Sequence, residues 1–494
     1  MGMVEIELKF QIPEASREAV HQAVVKKQAQ SIHLQAKYYD TPDRKMAAAE
    51  MALRMRKEGA DWVQTFKAAG RNHLQRFEHE VTLSPEQALA PELDVQRHTD
   101  ASVEARQLLD QALGESVEAL KLQFETDVER LYYLAHYQGA EIEVCLDCGE
   151  VRAGNARDEI YEIEFELKKG SVKSLLAFAS GWVKRYKLWL DVRSKAERGD
   201  LLAHGLQVSP AVQASAPALN KKDSPETALR KMVNSCLAQI LPNAAAIAGG
   251  VGRAEHLHQT RIGIRRLRSA LRVFGHWSEE VAPGWEPILA ELFNQLGGIR
   301  DRDALAESLF PRLHTAGAPL VSLSNGLPDD QAGKALRSPE YVRLLLILMA
   351  FANTPCKDSA DTKSNTSLME QAEKSIKRLH RQLVEDAAGF RHFQDEQRHR
   401  TRKRLKRLRY CVEFVAPLYP KKAIQKYLSH IRPALDALGE FNDLVVAEQL
   451  FRTEAEKDQR AWFAVGWIVA QRTLILQDCA NALEQLPQAP KFWS

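Results

Sequence analysis

The sequence predicts an α+β chain in two regions: a closed or strongly curved antiparallel sheet around a charged interior, then an all-α region with an internal repeat. Three observations carry this. Short runs in the first region alternate charged and apolar residues with a period of two, which gives strands with two unlike faces. After about residue 223 the apolar spacing becomes that of helices. Within that helical region a basic, histidine-containing pattern occurs twice.

In Glu5-Ile6-Glu7-Leu8-Lys9-Phe10, alternation puts Glu5, Glu7 and Lys9 on one face and Ile6, Leu8 and Phe10 on the other. Residues 14–30, with Val20, Val24 and Val25 among polar neighbours, read as a helix, and Tyr38 to Pro42 as a strand end running into a turn. Three further runs follow: Ala52–Arg56 with Arg54 and Arg56, Trp62–Lys67 with Thr65 and Lys67, and Arg76–Val81 with Arg76, Glu78 and Glu80. A helix is expected near 101–113, and strands at 124–130, 141–147 and 161–168. The last of these carries Glu162, Glu164, Glu166 and Lys168 on one face. Residues 171–188 have the spacing of a helix packed on the outside. Alternation alone fits a polar sheet face with surface salt bridges equally well.

From Gln207 to about Lys222 the pattern stops in a small, polar, proline-containing stretch that reads as a linker. The expected division is a first domain over 1–205, a linker over 206–222 and a helical domain over 223–494. Residues 313–339 and 353–367 read as loops. In the helical region, His258, Arg261, Arg265 and Arg268 recur as His399, Arg402, Lys406 and Arg409. Some forty residues beyond each comes a matching turn, Leu296 to Asp301 and Leu438 to Asp443. A pseudo-twofold pair of helical units is expected.

A length of 494 residues exceeds one ordinary core, and 45% apolar with 27% charged residues describes a soluble globular protein. Net charge is only +3, which gives no global argument for nucleic acid, and stacking aromatics are sparse beside the basic helices, Tyr410 being the main candidate. The six scattered cysteines suit a reducing cytosol. Cys145 and Cys148 form a CxxC without a second pair, and on a strand the two thiols face opposite sides, so a structural role is expected. Nothing resembles a signal peptide, a membrane span or a myristoylation site, and a cytoplasmic protein without a membrane partner is expected.

Convergence of Glu5, Glu7, Glu162, Glu164 and Glu166 brings repulsion that a divalent cation relieves, and hard oxygen ligands favour Mg²⁺, Mn²⁺ or Ca²⁺ over zinc. Lys9, Arg54, Arg56, Lys67, Arg76 and Arg130 suit a polyanion. A site with both is suited to a phosphate chain.

Glu5-Ile-Glu-Leu-Lys9 resembles the ExExK signature of the CYTH, or triphosphate tunnel metalloenzyme, superfamily. In order along the chain, Tyr39–Pro42, Leu53–Arg56, Gln64–Lys67, Leu146–Gly149, Tyr161–Glu166 and Ser194–Gly199 extend the resemblance over about 3–205. It implies an eight-stranded antiparallel β tunnel with flanking helices. It also implies a metal held by Glu5, Glu7, Glu162 and Glu164, with Glu80, or Glu78 on the same strand face, at a second metal or its water. Lys9, Arg54, Arg56, Lys67, Arg76, Arg130 and Lys195 would then line the triphosphate, with Asp147 and Glu166 as orienting groups. The expected activity is metal-dependent hydrolysis of tripolyphosphate to phosphate and pyrophosphate.

Residues 220–490, including Arg300 to Asp303, resemble the CHAD domain, which implies inorganic polyphosphate as partner of the two basic faces. The second copy departs from the first at Asn442, where the first has Arg300. A basic face would ordinarily be solvated. Here the duplication and the scarcity of acidic partners four residues away point to an external polyanion. The alternatives are a thiamine or nucleoside triphosphatase, a class IV adenylyl cyclase, and a non-catalytic polyphosphate scaffold.

Overall fold

The structure, a computed structural model, describes residues 3–297, 309–321, 330–356 and 367–493. By its contacts the chain forms two compact units. One comprises 1–212 with 240–256 and 333–354; the other comprises 213–239 with 257–332 and 355–494.

The first unit is built on β1 (Met3–Gln11), β2 (Gln30–Asp40), β3 (Met51–Glu58), β4 (Asp61–Asn72), β5 (Gln75–Thr82), β6 (Lys121–Tyr137), β7 (Ala140–Ala153) and β8 (Ala156–Lys169). These pair in the order β5-β4-β3-β2-β6-β7-β8-β1, and β5 closes back on β1, so eight antiparallel strands form a barrel. A two-residue β9 (Trp189–Leu190) adds to β1. Register fixes which side chains share the inward face: Lys9 lies opposite Glu164, Gln11 opposite Glu162, and Asp147 opposite both Arg130 and Glu162.

The outward face is apolar and covered, as the alternation requires. Leu53, Phe66, Ala68 and Phe77 pack with Ala105, Leu109 and Leu113 of the helix Val103–Leu113. Phe165 meets Phe178 and Trp182 of the helix Val172–Tyr186. Ser102 and Ser171 cap these helices by accepting a backbone N–H three residues on. The expected helix over 14–30 is shorter, a 3-10 turn at Glu14–Ser16 followed by Arg17–Val25, because β2 already starts at Gln30.

The interior is not charged throughout. Leu34, Ala36, Tyr38, Phe124, Val128, Val151 and Ile160 form an apolar cluster with Ala196, Leu202 and Ala203. The last three belong to the helix Lys195–Ala203, which lies against the same inward face as Glu162. Gly199 permits this approach, since a Cβ there would fall 2.1 Å from the Phe124 ring. Period-two alternation does not distinguish an inward strand face touching water from one touching a helix, so this sector is absent from the sequence pattern.

Among its described residues, the regular elements of the second unit are all helices. Its two basic helices, Ala254–Phe274 and Asp395–Val415, each have 21 residues and each run into a three-residue 3-10 turn. Leu257, Ile264, Leu267 and Leu271 on one, and Leu405, Leu408 and Val412 on the other, are buried opposite the basic faces. Leu438–Asp443 is not a turn: it lies inside the helix Lys421–Ala455, where Leu438, Phe441 and Leu444 are buried at helical spacing. Its counterpart follows the helix Trp285–Gln295 at Leu296 and Gly297, and Arg300 to Asp303 lie outside the described residues. The expected loop over 313–339 contains the end of the helix Phe310–Thr315 and the helix Gln331–Leu336. The linker stretch has no helix or strand yet is held by side chains. Val212 exchanges hydrogen bonds with Asn243, while Ser215 O accepts from Ser235 and Arg266.

Candidate active site

Inward-facing charges of the barrel meet at Lys195, the first residue of a helix capped by Ser194. Its ammonium lies 2.7 Å from Asp147, 2.6 Å from Glu162 and 2.7 Å from Glu164. Asp147 and Glu162 are fully buried, and one oxygen from each of the three carboxylates lies within 4.8 Å of the others. A lysine at a helix N-terminus opposes the helix dipole, so these carboxylates have to supply its stabilisation. Burial disfavours the charged lysine, but the three carboxylates outweigh it and hold the ammonium well above the ordinary lysine range.

Arg130 closes the other side of the trio. It takes Asp147 in a bidentate pair with both contacts at 2.7 Å, and reaches Glu164 at 2.7 Å. Burial raises the Glu164 carboxyl, yet Lys195 and Arg130 together hold it well below the usual carboxylate range. Lys9, only 8% exposed, sits 3.3 Å from Glu162 and donates to the carbonyl of Arg193. Arg198, at the mid-point of the Lys195–Ala203 helix, reaches Glu162 at 3.4 Å and also holds Asp158.

Glu5 and Glu7 stand outside that trio. Glu5 pairs with Lys67 at 2.6 Å and Glu7 with Arg76 at 3.7 Å. Burial, and after it the nearby Glu5, push the Glu7 carboxyl above the usual range. Glu78 lies 3.0 Å from Lys67 and 3.9 Å from Arg54. Glu80, 44% exposed, lies 3.8 Å from Arg54 and 3.5 Å from Arg56, so both carboxylates do share one strand face. Arg56 also pairs with Glu58, and Glu166 with Lys168 at 2.7 Å. All seven cations expected at a phosphate chain therefore face carboxylates of the barrel interior.

Asp147 holds a more central position than its Leu-Asp-Cys-Gly setting conveys, because register with both Arg130 and Glu162 is a property of pairing across strands. Arg198 is within reach of sequence reading, sitting one turn after Lys195. Cys145 lies opposite Glu164 on the inward face and Cys148 opposite Tyr161 on the other, and both thiols are free, as strand geometry requires.

The donor set fits a divalent cation. The trio consists only of hard carboxylate oxygens, and Glu162 Oε1 is buried without a hydrogen bond of acceptable geometry, although Lys195 is close. Such an orphaned oxygen suits a cation free of directional demands.

In the helical unit, Arg261 donates to the carbonyls of Leu296 and Gly297 at 3.2 and 2.8 Å. Arg261, Arg265 and Arg268 gather over the Phe293 ring, while His399 meets Asn442 at 3.1 Å. The expected lack of acidic partners holds only in part. Arg268 pairs with Glu286 at 2.7 Å, Arg409 with Glu413 at 2.8 Å, and Arg402 lies 4.0 Å from Asp443. Glu286 comes from the next helix, which spacing along one helix cannot reveal. Lys406 and Arg409 line a cleft of about 510 Å³ with Arg312, Asp436, Glu440 and Asp443. Burial, then Arg402 and Arg265, bring the Lys406 ammonium down to about 7.

A closed eight-stranded barrel with opposed charges on its inner wall is followed along the chain by a helical region with two basic helices, and a family model matches each of the two. The chain carries a CYTH domain, matched over residues 3–199, followed by a CHAD domain, matched over 231–452. It is 32% identical over 173 residues to an inorganic triphosphatase of Haemophilus influenzae, a match covering 35% of this chain and about half (47%) of that relative. An uncharacterised protein of Mycobacterium tuberculosis is 25% identical over 519 residues, covering 97% of this chain and 95% of its own. Among solved structures, the CHAD domain from Ricinus communis is 29% identical with a TM-score of 0.46, covering 57% of this chain and 99% of that one. No described helix is long and apolar enough to cross a membrane.

Proposed function

We propose that the protein is a metal-dependent inorganic triphosphatase that cleaves tripolyphosphate to phosphate and pyrophosphate, with a helical module that binds longer polyphosphate. The observation that carries this reading is the trio Asp147, Glu162 and Glu164, the first two fully buried, enclosed by Lys195 and Arg130. An anion receptor alone has no need of buried carboxylates, each of which is costly unless paired. The H. influenzae relative supports the chemistry, and our reading divides the work between a catalytic region at 1–205, a linker at 206–222 and a polyphosphate-binding region at 223–494.

Glu162 and Glu164, with Asp147 and the Glu5 and Glu7 carboxylates of β1, would hold a divalent cation, Mg²⁺ before Mn²⁺ or Ca²⁺. When bound, that ion would neutralise phosphoryl oxygens and make water a competent nucleophile at neutral pH. Lys9, Arg54, Arg56, Lys67, Arg76, Arg130 and Lys195 grip the chain. They stabilise the charge that develops on the leaving pyrophosphate oxygen, in a site already oriented before the reaction. Glu80 is exposed enough to orient water. His258, Arg261, Arg265, Arg268, His399, Arg402, Lys406 and Arg409 would engage polyphosphate. The cytoplasm, where such anions and Mg²⁺ meet, is the compartment this reading requires.

The test is phosphate release from tripolyphosphate, thiamine triphosphate and ATP, with Mg²⁺ and with chelator. Fast, Mg²⁺-dependent release from tripolyphosphate alone is expected. A preference for either organic triphosphate would replace the inorganic substrate, and no release from any of them would leave a binding scaffold.

A further inference from the structure

The segment Asp191–Lys195 touches two site cations, Lys9 and Arg76, and ends in a third, Lys195, the one residue of the segment whose charge is assigned to the phosphate chain. Asp191 is fully buried. Its carboxylate accepts from the Arg193 backbone N–H at 3.1 Å, from Arg193 Nε at 2.9 Å and Nη2 at 2.8 Å, and from Gln11 Nε2 at 3.3 Å. Its own N–H donates to the carbonyl of Lys9 at 3.1 Å. This clamp leaves the next two carbonyls directed at the site: Val192 O accepts from Arg76 Nη2 at 3.5 Å, and Arg193 O accepts from Lys9 Nζ. Ser194 then starts the helix that opens with Lys195.

We propose that Asp191 is a positioning residue for the triphosphatase reaction: by clamping Arg193 it fixes the two carbonyls and the helix start that aim Arg76, Lys9 and Lys195 at the phosphate chain. The inference rests on the triphosphatase reading. A lysine ammonium on a four-carbon stem is a flexible point charge, and its value to a transition state depends on being held in place beforehand. For Lys9, a fixed carbonyl adds direction without adding to the negative charge that Glu162 already sets against it. Asp191 has no such direct role, since its acceptor capacity is taken by Arg193 and Gln11. Burial raises its carboxyl, and Lys9 and Arg193 bring it below the ordinary value, so the clamp keeps its charge throughout the neutral range.

The full chain with Asp191→Asn, and separately Arg193→Gln, tests this with tripolyphosphate and Mg²⁺. We expect kcat to fall about tenfold or more with KM within about threefold, the pattern of lost orientation rather than lost binding. Added to Lys9→Met, the Asp191→Asn change should cost clearly less than it does alone, because part of its effect runs through the Lys9 ammonium and only the Arg76 and Lys195 part remains. Added to Lys67→Met, whose lysine is held by Glu5 and Glu78 instead, the costs should multiply. A readout free of turnover is the ¹⁵Nζ spectrum of the metal-free protein, in which Asp191→Asn should shift the Lys9 and Lys195 signals and leave Lys67 in place. Unmoved Lys9 and Lys195 signals, or multiplying costs with Lys9→Met, would reduce Asp191 to a structural role. A wild type inert toward tripolyphosphate with the shifts intact would sink the triphosphatase reading and leave the clamp standing. Should Asp191→Asn fail to fold, Arg193→Gln carries the same readouts.

Discussion

The barrel and the pair of basic helices handle positive charge in opposite ways. In the barrel every site cation has a carboxylate near it: three around Lys195, two around Arg130, two around Lys67. In the helical unit the arginines at 268 and 409 have one each, while Lys406 makes no ion pair within 4.0 Å among the described residues. A wall whose charges already balance is stable without a ligand, and a ligand must compete with that balance. A face with surplus charge is strained by its own repulsion, and an anion relieves it. Substitutions should therefore cost stability in the first region and little or none in the second.

The largest expected effect is at the centre of the balanced wall. Glu164→Gln keeps the shape but removes a charge facing Arg130 and Lys195, and metal-dependent phosphate release should fall about a hundredfold or more. Leaving two largely enclosed cations short of a partner should also cost on the order of 2–3 kcal/mol, read as a lower denaturation midpoint. Turnover at the wild-type rate would remove Glu164 from the site.

Next in size is a matched pair of lysine deletions. Lys195→Met leaves Asp147, Glu162 and Glu164 facing one another, so the metal-free protein should lose several degrees of melting temperature. Mg²⁺ should restore more of that loss than it adds to the wild type. Lys406→Met, which removes a cation from among Arg402, Arg265 and Arg409, should leave the melting temperature unchanged or raised while weakening polyphosphate binding. Equal destabilisation by both would abolish the contrast between the two regions.

A smaller effect is expected where the Lys195–Ala203 helix touches the barrel wall. Gly199→Ala puts a methyl group against the Phe124 ring, which must shift with the Tyr38 ring stacked on it at 4.5 Å, at a cost of about 1–3 kcal/mol by denaturation. A neutral result would mean that the helix can lift off the wall.

How much of this is legible in the chain follows from what each signal measures. Alternation in Glu5–Phe10 and Tyr161–Lys168 reports the two faces of a strand, and the structure has those faces inward and outward as expected. It does not report what lies against the inward face, so the contact of Leu34, Ala36 and Tyr38 with a helix some 160 residues away is invisible to it. Asp147 and Asp191 stand out little in the sequence for the same reason, since their partners come from other strands or from a backbone turn. In the helical unit, i to i+4 spacing can show Glu413 against Arg409 but not Glu286 against Arg268, which needs a second helix. Leu438–Asp443 imitates a turn because Leu-Gly followed by polar residues resembles a helix end, whereas buried Leu438, Phe441 and Leu444 carry the helix through it.

The least effect, and the sharpest test of the contrast, is in pH. Lys195 and Lys67 are held above the ordinary lysine range by their carboxylates, so no site lysine of the barrel with a raised value changes charge between pH 6 and 8. Lys406 titrates near 7, with Arg402 and Arg409 on its own helix, Arg265 on the other basic helix, Arg312 across the cleft, and Asp436, Glu440 and Asp443 opposite. A bound polyanion favours the ammonium, so binding takes up a proton when the free lysine is neutral. Affinity is then full below pH 7 and falls as pH rises through it, by at most about tenfold between pH 6 and 8 for one linked proton. Titration calorimetry with long-chain polyphosphate, in two buffers of different ionisation enthalpy, reads that proton directly. Lys406→Arg, permanently charged, should lose most of the slope and of the proton uptake, leaving only what His258 and His399 contribute, while Lys195→Arg should leave the slope as it was. A wild-type affinity flat across this range would mean that the surplus charge is not at Lys406, and the two regions would differ in number of charges rather than in how those charges are held.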